Sequence, residues 1–235
     1  MKQDQWLKAI AWKINNKKVV HHATLYFMAD QLKFDAAKKI ENGLVLDATS
    51  PARPPLIFPK DTGILLTKGT QFFFELHYTS SGKQEKDLTQ VGLYFYKTPP
   101  PKVFLLRFIK DRDFVIPPRV KEWKIKGSSF TKHDVAFYGF RPHAHWRGKK
   151  INLRIRYLDE TVEEVLNVPY YKFLWQTRYL LKEPMHLPAG TRMEVEAVYD
   201  NSFQNLDNPN PDRTLRFGEQ SQDEMFEEEF YFVEE

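Results

Sequence analysis

The seven histidines are the residues of this chain whose type and spacing first indicate chemistry. His143 and His145 are separated by one residue in a segment with the composition of a strand. On a strand, residues i and i+2 point to the same face with Cα atoms less than about 7 Å apart, so two imidazoles at this spacing can bind one metal ion. Histidines that are exposed or packed against aromatic rings give the same spacing, so the pair alone leaves both interpretations open.

Three further histidines and one methionine have suitable chemistry for a metal site but an ambiguous spacing. His21 and His22 are neighbours, so on a regular strand they face opposite ways, and both reach one ion only at a strand end or a bulge. His77 lies in another β-rich segment. Met225 supplies a thioether, which favours Cu(I) over zinc, although a methionine there also fits an apolar core.

The composition excludes several classes of protein and of site. The chain has no cysteine, which rules out disulfides, thiolate metal sites, iron-sulfur clusters and a cysteine nucleophile. Its 35 Lys and Arg against 31 Asp and Glu leave a net charge of only +4, so no nucleic-acid partner is expected. No apolar window approaches about 18 residues, so we expect no membrane span. The first residues lack the apolar core of a secretory signal, but the same is expected of the mature or excised part of a longer precursor, so this says little about the compartment.

Apolar and polar residues alternate along much of the chain, which predicts β-strands. The alternation is clearest in 151–157 and 193–199. Further β-rich segments are 6–12, 19–27, 70–78, 90–96, 103–108, 135–146 and 225–233. Only Asp35 to Glu41 has the pattern of a helix. Many short strands separated by polar loops predict an all-β fold of the sandwich or jelly-roll type.

A proline-rich segment indicates where the chain divides into domains. Thr98 is followed by Pro99, Pro100 and Pro101, which stiffen the chain and cannot donate ladder hydrogen bonds. We therefore predict an N-terminal domain over 1–98 and a C-terminal domain over 99–235. The first is small for a complete eight-stranded sandwich, so we expect that it lacks its leading strands.

Taken together and in order, these motifs resemble the copper type II, ascorbate-dependent monooxygenases, the family of peptidylglycine alpha-hydroxylating monooxygenase and dopamine beta-monooxygenase. The resemblance covers nearly the whole chain and is closest to bacterial members. Its motifs are His21-His22, Leu76-His77-Tyr78, 114–118, Arg141-Pro142-His143-Ala144-His145 with Gly148-Lys149, Trp175-Gln176, and 218–225.

The resemblance implies two tandem antiparallel β-sandwich (jelly-roll-like) domains with a cleft between them and two coppers per chain. One copper, which receives and passes on an electron, would be bound by His21, His22 and His77. The other, which binds dioxygen and substrate, would be bound by the catalytic residues His143, His145 and Met225. The donor chemistry agrees, because three imidazoles suit a cycling centre whereas two imidazoles with a thioether stabilise Cu(I). The reaction implied is hydroxylation of an activated C–H bond.

The residues expected to meet the substrate do not point to one chemical class. Arg141 matches an arginine that pairs with the substrate carboxylate in the peptide-amidating branch, and a guanidinium suits that role. Glu227 and Glu229 stand where that branch has Asn and Tyr, and alternation puts them on the face of Met225. They could bind a cationic group or pair with Arg141 and Arg147. Peptidylglycine is therefore a doubtful substrate, and we expect an unidentified small molecule or peptide.

Other departures from the family concern single residues. Glu75 shares the face of His77 where the amidating branch has glutamine, so it is either a hydrogen-bonding neighbour of the copper ligand or a carboxylate at the rim. His133 and His186 match no ligand and are expected to be structural or exposed.

Two other functions compete with a monooxygenase. One is a non-catalytic copper-binding or electron-transfer module that serves a fused or partner redox domain. The other is a cupin-like enzyme, which is disfavoured because Arg147, Lys149 and Lys150 stand where a cupin needs a glutamate. The electron donor is expected to be ascorbate or a cytochrome-type protein, and the compartment to be extracytoplasmic by family resemblance.

Overall fold

The computed structural model describes residues 1–28, 44–49 and 53–235. The chain forms two compact units, Met1–Phe104 and Leu105–Glu235. The boundary lies within a strand that follows the proline-rich segment Thr98 to Pro101. The predicted helix Asp35 to Glu41 lies outside the described residues.

The described residues form strands and no helix, which confirms the prediction of an all-β fold. The strands are β1 (Gln5–Lys13), β2 (Val20–Met28), β3 (Leu44–Thr49), β4 (Leu56–Ile57), β5 (Thr62–Leu66), β6 (Gln71–Tyr78), β7 (Gln90–Phe95), β8 (Lys102–Asp111), β9 (Val115–Ile116), β10 (Trp123–Phe130), β11 (Val135–Arg141), β12 (Gly148–Arg156), β13 (Val162–Val168), β14 (Tyr179–Leu187), β15 (Arg192–Tyr199), β16 (Leu215–Arg216) and β17 (Phe226–Glu234). None of the structure described contains a helix with the length and apolarity needed to cross a membrane.

The first unit has two antiparallel groups of strands that pack on each other. In one, β1 pairs with β4, β5 and β7, and in the other the order is β3-β2-β6. The indole of Trp12 in β1 joins them, because its Nε1–H donates to Asp47 Oδ2 at 2.9 Å and its ring meets Phe74 edge-on at 6.0 Å. Fully buried side chains between the strands include Leu7, Ile10, Leu25 and Leu46.

The second unit is a β-sandwich. One sheet has the order β14-β11-β17-β8 and the other β10-β15-β12-β13, while β9 and β16 form a short separate pair. Both sheets contribute to one apolar core, with Phe137 and Phe230 from the first and Leu153 and Val195 from the second. The alternation predicted for 151–157 is present, because Ile151, Leu153 and Ile155 are fully buried and the residues between them are not.

One strand prediction that bears on the site is wrong. The segment 135–146 was expected to be a single strand, but β11 ends at Arg141 and residues 142–147 form a connection to β12. Pro142 explains the ending, since it has no N–H to continue the ladder. His143 and His145 therefore lie in a loop, and their proximity does not come from the two-residue repeat of a strand.

Candidate functional site

His143 and His145 face each other in the loop between β11 and β12. Their ring centroids are 5.3 Å apart and the rings are nearly perpendicular. His145 is 4% exposed and His143 is half-buried. The ring of Phe173 lies edge-on to His145 at 5.5 Å and forms one wall of its surroundings.

The backbone between the two histidines is fixed by Tyr171. The phenol O–H donates to the carbonyl of Ala144 at 2.7 Å, and the same oxygen accepts from the N–H of Ala144 at 3.1 Å. Burial raises the pKa of Tyr171, so the phenol keeps the proton that it donates. Gly148 allows the loop to close, because a Cβ there would lie 2.6 Å from the Cβ of Ala144.

Hydrogen bonds select which nitrogen of each imidazole carries the proton. Gln176 Nε2 donates to the carbonyl of Phe173 at 2.8 Å, which turns Gln176 Oε1 towards His143 Nδ1 at 2.7 Å. His145 Nδ1 lies 3.3 Å from the carbonyl of Asp223. Since both partner oxygens only accept, each Nδ1 is protonated and each neutral ring has its lone pair on Nε2, the nitrogen that would bind a metal.

Met225 lies directly before β17 and is joined to the histidine loop through its neighbour Glu224. The carboxylate of Glu224 accepts the backbone N–H of His145 at 2.8 Å, of Arg147 at 2.7 Å and of Met225 at 3.3 Å. Burial raises the pKa of Glu224 to about 7. The structure therefore brings the segment of the predicted sulfur ligand beside the segment of the two predicted nitrogen ligands.

In the first unit, His21, His22 and His77 also lie together. The β2–β6 register shifts between Val20 and His22, so a bulge occurs at His21. Its effect is that His21 Nδ1 and His22 Nδ1 approach to 2.9 Å, while the rings of His22 and His77, directly opposed across the strands, have centroids 4.0 Å apart. Two adjacent strand residues can reach one ion only at a strand end or a bulge, and His21 and His22 lie at such a bulge.

The surroundings of His21 favour its neutral imidazole, and His77 has a carboxylate partner. Burial, and then the neighbouring His77, hold the pKa of His21 below its ordinary value, and neutral imidazole is the form that binds metals. Glu75 is a direct partner of His77, with Oε1 at 2.6 Å from Nε2, and its other oxygen accepts from Tyr26 O–H at 2.8 Å. Glu75 is therefore a hydrogen-bonding neighbour of the predicted ligand His77.

The predicted substrate residues are paired with one another or with a lysine. Arg141 Nε donates to Glu229 Oε2, and these side chains are 8% and 3% exposed. Glu227 pairs with Lys110 at 2.9 Å. Arg147 does not pair with either glutamate, contrary to expectation, because its side chain bonds to Asn208 Oδ1 and to backbone carbonyls of Gln222 and Asp223.

Three residues that support the predicted ligands received no role from the sequence. Gln176 and Glu224 belong to motifs used for the family resemblance, but nothing in those motifs says what their side chains contact. No sequence pattern indicated a role for Tyr171, because it bonds to the backbone of Ala144, which is distant in sequence. The remaining histidines, His133 and His186, are exposed, and His186 pairs with Glu235 at 2.8 Å.

Comparison with known families includes this loop and the start of β17 in one matched segment. Residues 102–232 match the sequence model of the family described as copper type II ascorbate-dependent monooxygenase, C-terminal domain. The match takes in more than half of the chain and includes His143, His145 and Met225. The chain belongs to the copper type II ascorbate-dependent monooxygenase family. The first unit, with His21, His22 and His77, lies almost entirely before the matched residues.

Other comparisons add little to this family assignment. None of the curated proteins matches the chain in sequence. Among solved structures, the chain is similar to a chain in the structure of infectious bursal disease virus Gx strain. The identity is 11% and the TM-score 0.25, over 99% of this chain and 58% of that one. The T13 particle of the same virus has 11% identity, a TM-score of 0.27, and coverage of 99% and 56%. The chain thus spans less than two thirds of those proteins, and such TM-scores do not establish a shared fold.

The donor set of the second unit fits the copper of this monooxygenase family. His143 and His145 present Nε2 lone pairs, and Met225 adds the soft sulfur that selects Cu(I). Within residues 1–28, 44–49 and 53–235, no group of three or more His, Cys, Asp or Glu side chains is arranged to hold a metal ion. The three histidines of the first unit also have suitable chemistry, because imidazole nitrogens bind copper.

Replacing Gln176 by leucine is expected to weaken copper binding at His143 by about ten- to hundredfold, the usual cost of losing a partner of a ligating histidine. Leucine cannot accept the Nδ1–H, so the proton is free to move to Nε2. Gln176→Glu keeps the acceptor and should retain affinity. Competition with a Cu(I) chelator measures the change, and exposed Gln204→Leu is the control. Equal affinity in Gln176→Leu and the parent would contradict this tautomer assignment.

Replacing Glu228 by glutamine is expected to stabilise the protein, increasingly so as the pH rises. Glu228 is fully buried, one oxygen accepts the N–H of His143 at 3.3 Å, and the other has no hydrogen-bond partner in the described residues. Burial raises its pKa well above the ordinary 4.5. The folded chain therefore holds a proton that the unfolded chain releases, and the free energy of unfolding falls as pH rises above the ordinary pKa, by up to about 1.4 kcal/mol per unit.

Glutamine removes this dependence because it never ionises. Thermal unfolding at about pH 5 and about pH 8 checks the prediction, since the difference in Tm between variant and parent should widen at the higher pH. Glu183→Gln, at an exposed position of β14, is the matched control. A difference in Tm that is constant over this range would show that Glu228 is not the group responsible.

Proposed function

We propose that the chain is a copper-dependent monooxygenase that hydroxylates a C–H bond of a small molecule or peptide. One oxygen atom of O2 is inserted into the C–H bond and the other leaves as water. The two electrons come from ascorbate or a cytochrome-type donor, and the two protons come from ascorbate or, with a cytochrome, from solvent. Two coppers per chain are proposed, an electron-transfer copper at His21, His22 and His77 and an O2-binding copper at His143, His145 and Met225.

The observation that carries the proposal is the hydrogen bonding of His143 and His145 within the segment matched to the family. Gln176 Oε1 and the carbonyl of Asp223 hold the protons on Nδ1, so the neutral form of both rings has its lone pair on Nε2. A pair of exposed or merely packed histidines needs no such matching partners. The arrangement supports a metal centre in preference to a structural pair.

The protein's own groups have defined tasks in this reaction. Bound copper supplies one-electron redox chemistry and activation of dioxygen. His143 and His145 orient their ring nitrogens, and Tyr171 fixes the backbone between them. The ring of Phe173 beside His145 excludes water from that side, and the thioether of Met225 favours the reduced metal.

The first-unit histidines support a second, electron-transfer centre. The bulge at His21 brings two imidazoles together, and Glu75 fixes the ring of the third through His77 Nε2. Three imidazoles without a thioether suit a copper that cycles between two oxidation states. This half of the proposal has no support from the family match, which begins at residue 102.

Metal content and X-ray absorption test the proposal directly. The full chain is reconstituted with Cu(II), dialysed, analysed for metals, and then reduced with ascorbate. Two coppers per chain, with sulfur bound to one of them, are expected. O2 consumption with candidate substrates then separates a monooxygenase from a copper-binding or electron-transfer module, which would bind both ions without coupled turnover. One copper without sulfur, or a preference for zinc, would contradict the proposal.

A further inference from the structure

Two segments distant in sequence meet at the thioether-containing site, and one buried side chain bonds to the backbone of both. The first is the loop 143–147 between β11 and β12, and the second is 222–225, before β17. The side chain is Glu224, which is 0% exposed. Its segment is also held by an isolated bridge between Phe217 and Glu224.

We propose that Glu224 is a positioning residue that sets the distance between His145 and Met225 for one copper ion. Its Oε2 accepts the backbone N–H of both predicted ligands, His145 at 2.8 Å and Met225 at 3.3 Å. Its Oε1 accepts the N–H of Arg147 at 2.7 Å. We call the carboxylate with these three amides the Glu224 bridge. The inference rests on the proposed function, because it concerns the copper which those ligands would bind.

The side chain of Arg147 also links the same two segments. It is 0% exposed, its Nε donates to Asn208 Oδ1 at 2.9 Å, and its Nη1 donates to the carbonyl of Gln222 at 2.6 Å. The backbone N–H of Arg147 thus bonds to Glu224 while its guanidinium bonds to the residue two positions before Glu224. These contacts restrict sliding of one segment along the other.

The geometry requires a carboxylate of this length. A glutamine at 224 has one accepting oxygen and one NH2 group, so an amide donor would face a backbone N–H on one side of the bridge. An aspartate is one methylene shorter and cannot reach amides of both segments from the same backbone position. Glu228 provides the contrast, because it is equally buried four residues later yet, among the described residues, accepts only the amide of His143.

The test compares Glu224→Gln with Glu228→Gln in the full chain. In metal-free protein, amide hydrogen exchange at His145 and Arg147 should quicken in Glu224→Gln and not in Glu228→Gln. With Cu(I), Glu224→Gln should bind the ion about ten- to hundredfold more weakly at the sulfur-containing site, and the Cu–S contribution to X-ray absorption should weaken or disappear. Leu153→Ala, a core variant away from the bridge, controls for general loss of stability.

The outcomes separate this inference from the proposed function. Unchanged exchange at His145 and Arg147 in Glu224→Gln overturns the bridge whatever the copper does. Faster exchange with an unchanged Cu–S contribution and affinity overturns its role in placing Met225. Absence of a Cu–S contribution in the parent protein itself rejects the proposed ligand set, and with it the copper role of Glu224, while the exchange measurement still reports whether the bridge holds the two segments.

Discussion

Met225→Ile is expected to remove the sulfur-bound copper and to leave the other copper in place. Isoleucine is similar in volume and apolar, so the start of β17 should fold, but it has no atom that binds Cu(I). Loss of a hydrogen-bonding neighbour of a ligand lowers metal affinity about ten- to hundredfold. Loss of the ligand itself should lower it at least as much. Elemental analysis should give one copper per chain after dialysis, and O2 consumption coupled to a substrate should stop.

Met185→Ile is the matched control for this substitution. Met185 lies in β14 and packs against the core of the same unit, so its replacement changes apolar packing without removing a predicted ligand. The control should keep two coppers and the Cu–S contribution to X-ray absorption. Equal copper loss from both sites in Met225→Ile, or no loss from either, would remove Met225 from the ligand set.

Sequence alternation predicted the strands that have one whole face in the core. It failed for strands in which few side chains are buried. Ile151, Leu153 and Ile155 repeat every second residue because β12 lies between two strands with its inner face in the core. In β10 only Ile125 is buried, and the alternation around it stops at Gly127, Ser128 and Ser129, so it is too short to predict the strand. The strand β14 is an edge strand that contains Pro184 and alternates poorly.

The candidate site was only partly accessible to sequence reasoning. The predicted donors His143, His145 and Met225 came from residue type and family resemblance, although the strand geometry invoked for the histidines is wrong. The groups that orient them could not be found, because each acts through a backbone atom or a ring nitrogen far away in the chain. Tyr171 and Glu224 bond to amides 27 and 79 residues distant, and no local pattern encodes such a contact.

The charges near the site also behave differently from what residue type indicated. Arg141 and Glu229 were predicted to meet the substrate, yet they are almost fully buried and bonded to each other. Glu227 forms an ion pair with Lys110. A substrate carboxylate or ammonium group would have to displace one of these partners, so a direct role for Arg141 in substrate binding requires Glu229 to move first.

Breaking this buried ion pair from one side should have a larger effect on stability than removing it completely. Arg141→Met leaves the carboxylate of Glu229 buried without its partner, and such single removals typically lower the free energy of unfolding by about 3–5 kcal/mol. The double variant Arg141→Met with Glu229→Leu removes both charges and fills the space with apolar side chains. Since replacement of a whole buried pair is often neutral, the double variant should recover most of the lost stability.

Urea-induced unfolding of the parent, the two single variants and the double variant measures this coupling. The exposed pair Lys150–Glu122, whose side chains are 55% and 64% exposed, is the control, and Lys150→Met should cost less than about 1 kcal/mol. If Arg141→Met is no more destabilising than Lys150→Met, the pair is not desolvated in solution. Arg141 would then be accessible to a substrate carboxylate, and an anionic substrate would become the better expectation.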